Sequence, residues 1–470
     1  MNSELVLPFW FVALLVILSL ALVLDRILLP SVRWLMRRRI NRVIDEINTR
    51  LDIEIRPFQL TQRQALIEQL VFDDKVNEAI QDYAQEHEMP HVVAQGNARR
   101  YAREIVPSFN AYVYFRFGYW LAKRIARLIY RVRVGFYDSE GLSKIDKTAT
   151  VVFVMNHRSN MDYVLVSLLA AEKTALSYAV GEWARIWPLQ TLIKTMGAFF
   201  VRRNSGNPLY RRVLERYVHM ASRAGVCQAV FLEGGLSKDG KLRQPRLGFL
   251  DYMLRGYHVD DDRDVVFVPV GLNYDRVLED RSLLRRLDKD AKKRSTWFVL
   301  KTTLLFAFKN IKLSRRDRWR RFGYASVNFG EPISMREYCS RNEINLINME
   351  HDQRFEEIEK LAHVLMEGIR NVIPVLPVAL MSGVLLRHQK EWKSKLELMT
   401  TGLEKIEQLR TQGAPISVSA SACEGVLSGA LTMLIARGFM AEKEGLLRAN
   451  ENSIDILSYY SNSIVHFSKQ

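Results

Sequence analysis

The 470-residue sequence predicts an α/β fold: a central, mainly parallel sheet flanked by helices, with helical regions before and after it and a transmembrane helix at the N-terminus. Three observations carry this expectation. Between residues 148 and 335, short β-rich apolar runs alternate with helical stretches, the pattern of a parallel sheet with crossover helices. The segments on either side lack such runs and read as helical. Residues 5–24, LVLPFWFVALLVILSLALVL, are twenty residues without a charge.

As a helix, residues 5–24 would span about 30 Å, the thickness of a bilayer core. Glu4 precedes them, with no Lys or Arg and no following Ala-x-Ala, so the segment does not read as a cleaved signal. Arg26, Arg33, Arg37, Arg38, Arg39 and Arg42 come directly after it. The positive-inside rule then expects a single-pass protein of the cytoplasmic membrane, with its catalytic domain on the cytoplasmic side. Residues 1–30 are accordingly read as the anchor. Residues 31–135 read as a helical, membrane-proximal region in which Phe109, Tyr112, Phe115 and Tyr119 are followed by Lys123, Arg124, Arg127 and Arg131. That composition suits a lipid headgroup layer and equally suits a core helix with a solvated basic face.

Residues 136–339 form the expected α/β domain, with strands at 150–155, 228–232, 265–270 and 325–329. A basic stretch at 292–321 encloses an apolar core and suits either a surface-lying or a buried helix. Residues 340–470 read as mostly helical. Within them 422–440 and the following AEKEGLLRAN suggest helix, turn and hairpin, a winged-helix-like arrangement that can bind DNA or serve only as a packing unit. A net charge of +16 and a pI near 9.7 imply an anionic partner without choosing among nucleic acid, lipid and phosphorylated substrates. Cys227, Cys339 and Cys423 are far apart, which argues against disulfides or a structural zinc site.

The chemistry concentrates in VVFVMNHRSNMDYVLV, residues 151–166. A strand ends near Met155, a loop carries His157, and Ser159 caps a helix with Asp162 in its first turn. A carboxylate bonded to one imidazole nitrogen fixes the tautomer, and the other nitrogen takes a proton from a substrate hydroxyl. A His and an Asp five apart are weak evidence alone. Three further loops join them. In 197–213 Arg202 and Arg203 follow an apolar run, as a phosphate clamp would. In 231–248 a strand enters a glycine-rich loop offering Ser237, Lys238, Lys241 and Arg246 as donors. In 268–277 Pro269 lies near the end of another strand. All would meet outside the carboxyl ends of the strands, where α/β sheets bind ligands.

These four segments, in this order, resemble the four motifs of the glycerolipid acyltransferases, most fully those acting on glycerol 3-phosphate and dihydroxyacetone phosphate. H-x-S-x-x-D appears as His157 to Asp162, the second motif as Gly197 to Arg203, the third as Glu233-Gly234-Gly235-Leu236-Ser237-Lys238, and the fourth around Pro269. The ending YYSNSIVHF is similar to the C-terminal part of the glycerol-3-phosphate branch. The resemblance implies a glycerolipid-acyltransferase-like sheet and an O-acyltransferase with His157 as base and Asp162 as its partner. It also implies that Arg202, Glu233, Gly234 and Ser237 bind the acceptor and that Pro269 shapes the site, and the expected substrate site adds Arg203, Gly235, Lys238 and Arg246 from the same loops. Acyl-CoA or acyl-carrier protein would be co-substrate with a glycerol-phosphate acceptor and membrane lipid, with no cofactor, metal or nucleic acid. Leu236 stands where the family usually has Arg, which leaves a lysophosphatidate or dihydroxyacetone phosphate open as the acceptor.

Other classes fit less well. GGLSKDGKL approaches a P-loop, but Leu242 stands where magnesium binding needs Ser or Thr. There is no GxSxG elbow and no HExxH. A non-catalytic, membrane-tethered protein binding nucleic acid or anionic lipid is the alternative from another class.

Overall fold

A computed structural model describes residues 55–137, 139–170, 174–181, 189–202, 205–260, 263–285, 321–416 and 422–468. At its centre lies a sheet containing β1 (Arg131–Tyr137), β2 (Thr150–Met155), β3 (Ser177–Val180), β4 (Phe199–Phe200), β5 (Gln228–Phe231), β6 (Val265–Tyr274), β7 (Tyr324–Phe329) and β8 (Ile333–Ser334). The order is β1-β7-β6-β2-β5-β3-β4, with β8 beside β6. The pairs β1–β7, β6–β2, β2–β5, β5–β3 and β3–β4 are parallel, whereas β6 meets both β7 and β8 antiparallel. β2 and β6 are buried along their whole length, as expected for sheet strands covered on both faces.

Pro269 lies inside β6, where a missing N–H would normally break a ladder. β8 pairs with Val266 and Phe267, and β7 with residues from Val270 onward. Pro269 falls in the gap between these two partners, and its carbonyl accepts from Gly330 N at 2.8 Å.

Helices cover the sheet. Those at Arg63–Val71, Asp74–Glu86, His91–Ile105 and Pro208–Arg223 share one apolar core with β2, β5 and the helix His351–Val372. Asp73 caps the second of these by accepting from Lys75 N and Val76 N, and also takes a two-pronged bond from Arg216 Nε and Nη2 at 2.9 and 2.8 Å. Towards the C-terminus, Cys423–Ala436 is followed by the hairpin Met440–Lys443 and Leu446–Ala449, whose second strand also pairs with Lys393–Ser394.

The expected fold class is corrected at its transmembrane element. Among the described residues no helix is long and apolar enough to cross a membrane. The 22-residue helix His351–Val372 has the length but carries charges such as Asp352, Glu356, Lys360 and Glu367, and the apolar Cys423–Ala436 has only 14 residues. Residues 5–24 lie outside the described residues, as does the basic stretch at 292–320. Over the described residues the fold is a mixed α/β sheet flanked by helices, with no helix that could cross a membrane.

Candidate active site

β2 delivers His157 to the carboxyl edge of the sheet. The strand ends at Met155, and the side chain of Asn156 continues the ladder: its Oδ1 accepts from Leu272 N at 2.8 Å and its Nδ2 donates to Leu272 O at 2.9 Å. The chain then turns into the helix Met161–Ala170, with Asp162 in the first turn. His157 Nδ1 lies 2.8 Å from Asp162 Oδ2, with both side chains buried. A carboxylate only accepts, so Nδ1 carries the proton and Nε2 is the nitrogen able to take one. The imidazole stacks on Phe231 at 3.9 Å between centroids and meets Tyr163 edge-on at 5.5 Å.

Asp162 is held from three sides. Its Oδ2 also accepts from Arg158 N at 2.7 Å and Ser159 N at 3.0 Å, and its Oδ1 accepts from Tyr274 Oη at 2.5 Å. Burial, and then the Asp162 charge, push the Tyr274 hydroxyl well above the usual phenol range, so it stays protonated and donates.

Two carboxylates from other strands grip the same loop. Glu233, just past β5, accepts from His157 N with Oε1 and from Arg243 N with Oε2, both at 2.9 Å. Glu279, beyond β6, accepts from Ser159 Oγ at 2.7 Å and from Asn160 Nδ2 at 3.0 Å. Burial raises both carboxyls, Glu233 to about 7.

The Glu233 shift has a testable sign. Its folded value lies above the ordinary 4.5, so between about pH 4.5 and 7 the folded protein holds a proton that the unfolded chain releases. Raising pH through that window therefore removes stability, by about 3 kcal/mol at most. Glu233→Gln does not titrate. Its melting temperature should fall less than the wild type's between pH 5 and 7.5, and identical slopes for the two proteins would refute this assignment. Because Gln offers one oxygen to two donors, turnover should also fall roughly 10-fold.

The remaining expected site residues are placed as follows. Gly234 has φ +65°, and a Cβ there would lie 2.8 Å from Arg246 Cγ. Gly235 is buried in the turn. Ser237 N donates to His157 O at 2.9 Å, while its hydroxyl donates to Lys241 O and accepts from Gly240 N, so it closes the turn. Lys238 and Arg246 are exposed, and Arg246 N donates to Leu232 O. Arg202 does not join the cluster: its Nε and Nη2 grip Glu104 at 2.8 and 2.6 Å, and its guanidinium lies over Tyr101 and Tyr210. Arg203 lies outside the described residues. Pro269 lies in the middle of β6, level with Val154.

The structure thus brings together His157, Asp162, Glu233 and Ser237. Sequence reasoning missed Asn156, Arg158, Tyr274 and Glu279. Tyr274 had one signal in the sequence, its place within the 268–277 stretch; in the structure β6 extends four residues past the register partner of Met155 and carries it there. A cavity of about 280 Å³, lined by Phe58, Leu66, Phe109, Ser177, Tyr217 and Val226, opens at the amino ends of β3 and β5, away from this edge.

Comparisons with known proteins agree with this geometry. Residues 137–273 match the acyltransferase family, and residues 308–468 match the glycerol-3-phosphate acyltransferase C-terminal region. The chain is 28% identical to a glycerol-3-phosphate acyltransferase of Ectopseudomonas mendocina, covering 87% of this chain and 49% of that protein. It is 29% identical to one from Pseudomonas entomophila, over 87% and 49%. The chain spans about half the length of the curated relatives it matches. The solved 1-acyl-sn-glycerophosphate acyltransferase of Thermotoga maritima superposes with a TM-score of 0.30 at 16% identity, over 54% of this chain and 78% of that one, a likeness too slight to argue from. A match to the acyltransferase family and, beyond it, a match to the glycerol-3-phosphate acyltransferase C-terminal region follow one another along the sequence, so the chain is similar to the glycerolipid acyltransferases over both regions.

Proposed function

We propose that the chain transfers a fatty acyl group from a thioester, acyl-CoA or acyl-carrier protein, to a hydroxyl of glycerol 3-phosphate. The observation that carries this reading is the buried His157–Asp162 pair within the acyltransferase-like region. His157 Nε2 takes the acceptor's hydroxyl proton as the oxygen attacks the thioester carbonyl. The carbon–sulfur bond then breaks, and the leaving thiolate takes the proton back from the imidazolium. Asp162 holds the imidazolium in place while it is charged. The steps draw on no cofactor. Glycerol 3-phosphate as acceptor is supported by the names of the relatives and by the C-terminal match.

We also propose that the protein works against lipid. Tyr112, Phe117 and Trp120 are exposed on consecutive turns, with Arg116, Arg124 and Arg127 also exposed in the same stretch. Rings at headgroup depth and cations on lipid phosphates suit that composition.

The test is an acyl-transfer assay on purified protein. Long-chain acyl-CoA and acyl-carrier protein would be offered with glycerol 3-phosphate, dihydroxyacetone phosphate and a lysophosphatidate. Glycerol 3-phosphate should be acylated fastest. Faster transfer to either other acceptor would overturn the acceptor assignment. No transfer to any, by folded protein, would overturn the reading and favour a non-catalytic binding role.

A further inference from the structure

We propose that Arg158, the residue next to the candidate base, is the acceptor's phosphate ligand, gripping two phosphate oxygens through Nε and Nη2. The inference rests on the acyl-transfer reading above, and extends it to a residue that nothing so far assigns.

The argument starts from an unmet requirement. Arg158 is only 3% exposed, yet its Nε and Nη2 have no hydrogen-bond partner. A buried polar group left unpaired costs about 1–3 kcal/mol, more when charged. Such groups are few in folded proteins, and each calls for a partner such as a ligand, an ion or a water. The rest of the side chain is firmly placed. Nη1 donates to Gly240 O at 2.5 Å, and the guanidinium lies 4.8 Å from the centre of the Tyr459 ring. The group is therefore oriented, and its Nε and Nη2 are buried without a partner.

That unpaired side has a specific shape. Nε and Nη2 form the side-on fork of a guanidinium, which matches the two oxygens of a carboxylate or phosphate. This chain uses the same fork elsewhere. Arg202 presents Nε and Nη2 to the two oxygens of Glu104, and Arg216 presents them to the two oxygens of Asp73. In Arg158 the fork is formed, buried and empty.

Its position suits a small acceptor. Arg158 follows His157 directly, and its own N–H donates to Asp162 Oδ2 at 2.7 Å. A three-carbon phosphate can thus place its anion on one residue and its hydroxyl at the neighbouring one. The alternatives are fewer than the sequence suggests. Arg202 is committed to Glu104, the Ser237 hydroxyl closes its own turn, and Leu236 brings no charge to the loop.

The test compares the wild type with Arg158→Lys, which keeps the charge and loses the fork, and with Arg158→Gln. In both variants KM for glycerol 3-phosphate should rise about 10- to 100-fold, with a smaller change in kcat, since two charge-assisted bonds are lost. The inhibition constant of inorganic phosphate should rise in parallel. Preference for glycerol 3-phosphate over glycerol should fall by the same factor. Unchanged KM and phosphate inhibition in a folded variant would overturn the proposal.

A readout independent of turnover separates this proposal from the function it rests on. Inorganic phosphate should raise the melting temperature of the wild type by binding the folded state, and raise that of the variants less. If the wild type transfers no acyl group, the proposed function fails, while a phosphate shift lost in the variants still supports the site. An equal shift in all three proteins, or none in the wild type, overturns it.

Discussion

Replacing His157 with Ala should lower turnover by roughly 10²–10⁴-fold, the range a positioned general base contributes, while the protein stays folded. The imidazole has one strong polar bond, from Nδ1 to Asp162, and stacks on Phe231. Without it Asp162 still accepts from Arg158 N, Ser159 N and Tyr274 Oη, so its charge is not stranded. The backbone N–H that donates to Glu233 is also kept. The loop should therefore hold its course, with a stability loss of about 1–3 kcal/mol from the lost bond and stacking. Steady-state transfer from a long-chain thioester and a thermal melt on the same preparation check both parts. A variant that keeps turnover within 10-fold of the wild type would remove His157 from the mechanism.

Asp162→Asn should cost nearly as much, by a different route. Asp162 Oδ2 serves three N–H donors, and Oδ1 serves the Tyr274 hydroxyl. An Asn placed with its oxygen at the Oδ2 position keeps all three donors and turns its amide towards Tyr274, whose oxygen can accept. Geometry survives, but the negative charge opposite the imidazolium is gone. Turnover should fall by roughly 10²–10⁴-fold with little loss of stability. Tyr274→Phe removes one donor to that carboxylate and keeps the charge, so about 10-fold is expected. The ordering is the test: a Tyr274→Phe loss equal to that of Asp162→Asn would mean that placement of the loop, rather than charge on Asp162, sets the rate.

What the sequence made legible was local. β2 starts and ends where its apolar run does, and β5, β6 and β7 begin within a residue of their expected starts. The four-residue β3 and two-residue β4 are too short for any periodicity to declare them. β1 was hidden by its charges: RVRVGFY alternates like an edge strand, but its arginines read as the end of the preceding basic helix. The antiparallel β7 escaped because no spacing rule fixes strand direction across the residues between it and β6. The site divides in the same way. His157 and Asp162 share one turn, so their pairing could be argued from spacing. The bonds to Glu233, Tyr274 and Glu279 join residues 76, 112 and 120 positions apart. Arg202 looked available because Glu104, 98 positions away, was invisible as its partner.

The seating of the C-terminal segment bears on how such a chain is made. Gly240, at φ +88°, admits Tyr459 O so closely that a Cβ would stand 2.0 Å from it. Asn462 Nδ2 donates to Asp239 O at 2.9 Å, and Tyr460 Oη accepts from Val277 N at 3.1 Å. A ribosome completes His157 about 300 residues before it adds these side chains. For that whole interval the glycine-rich turn and the end of β6 lack their covering surface, and the catalytic loop rests on a half-finished wall. The nascent chain must stay soluble with that edge uncovered, and the turn beside His157 gains its cover only when residues 459–462 arrive. Substitutions at Tyr459, Tyr460 or Asn462 should therefore disturb the loop beside His157 from about 300 positions away.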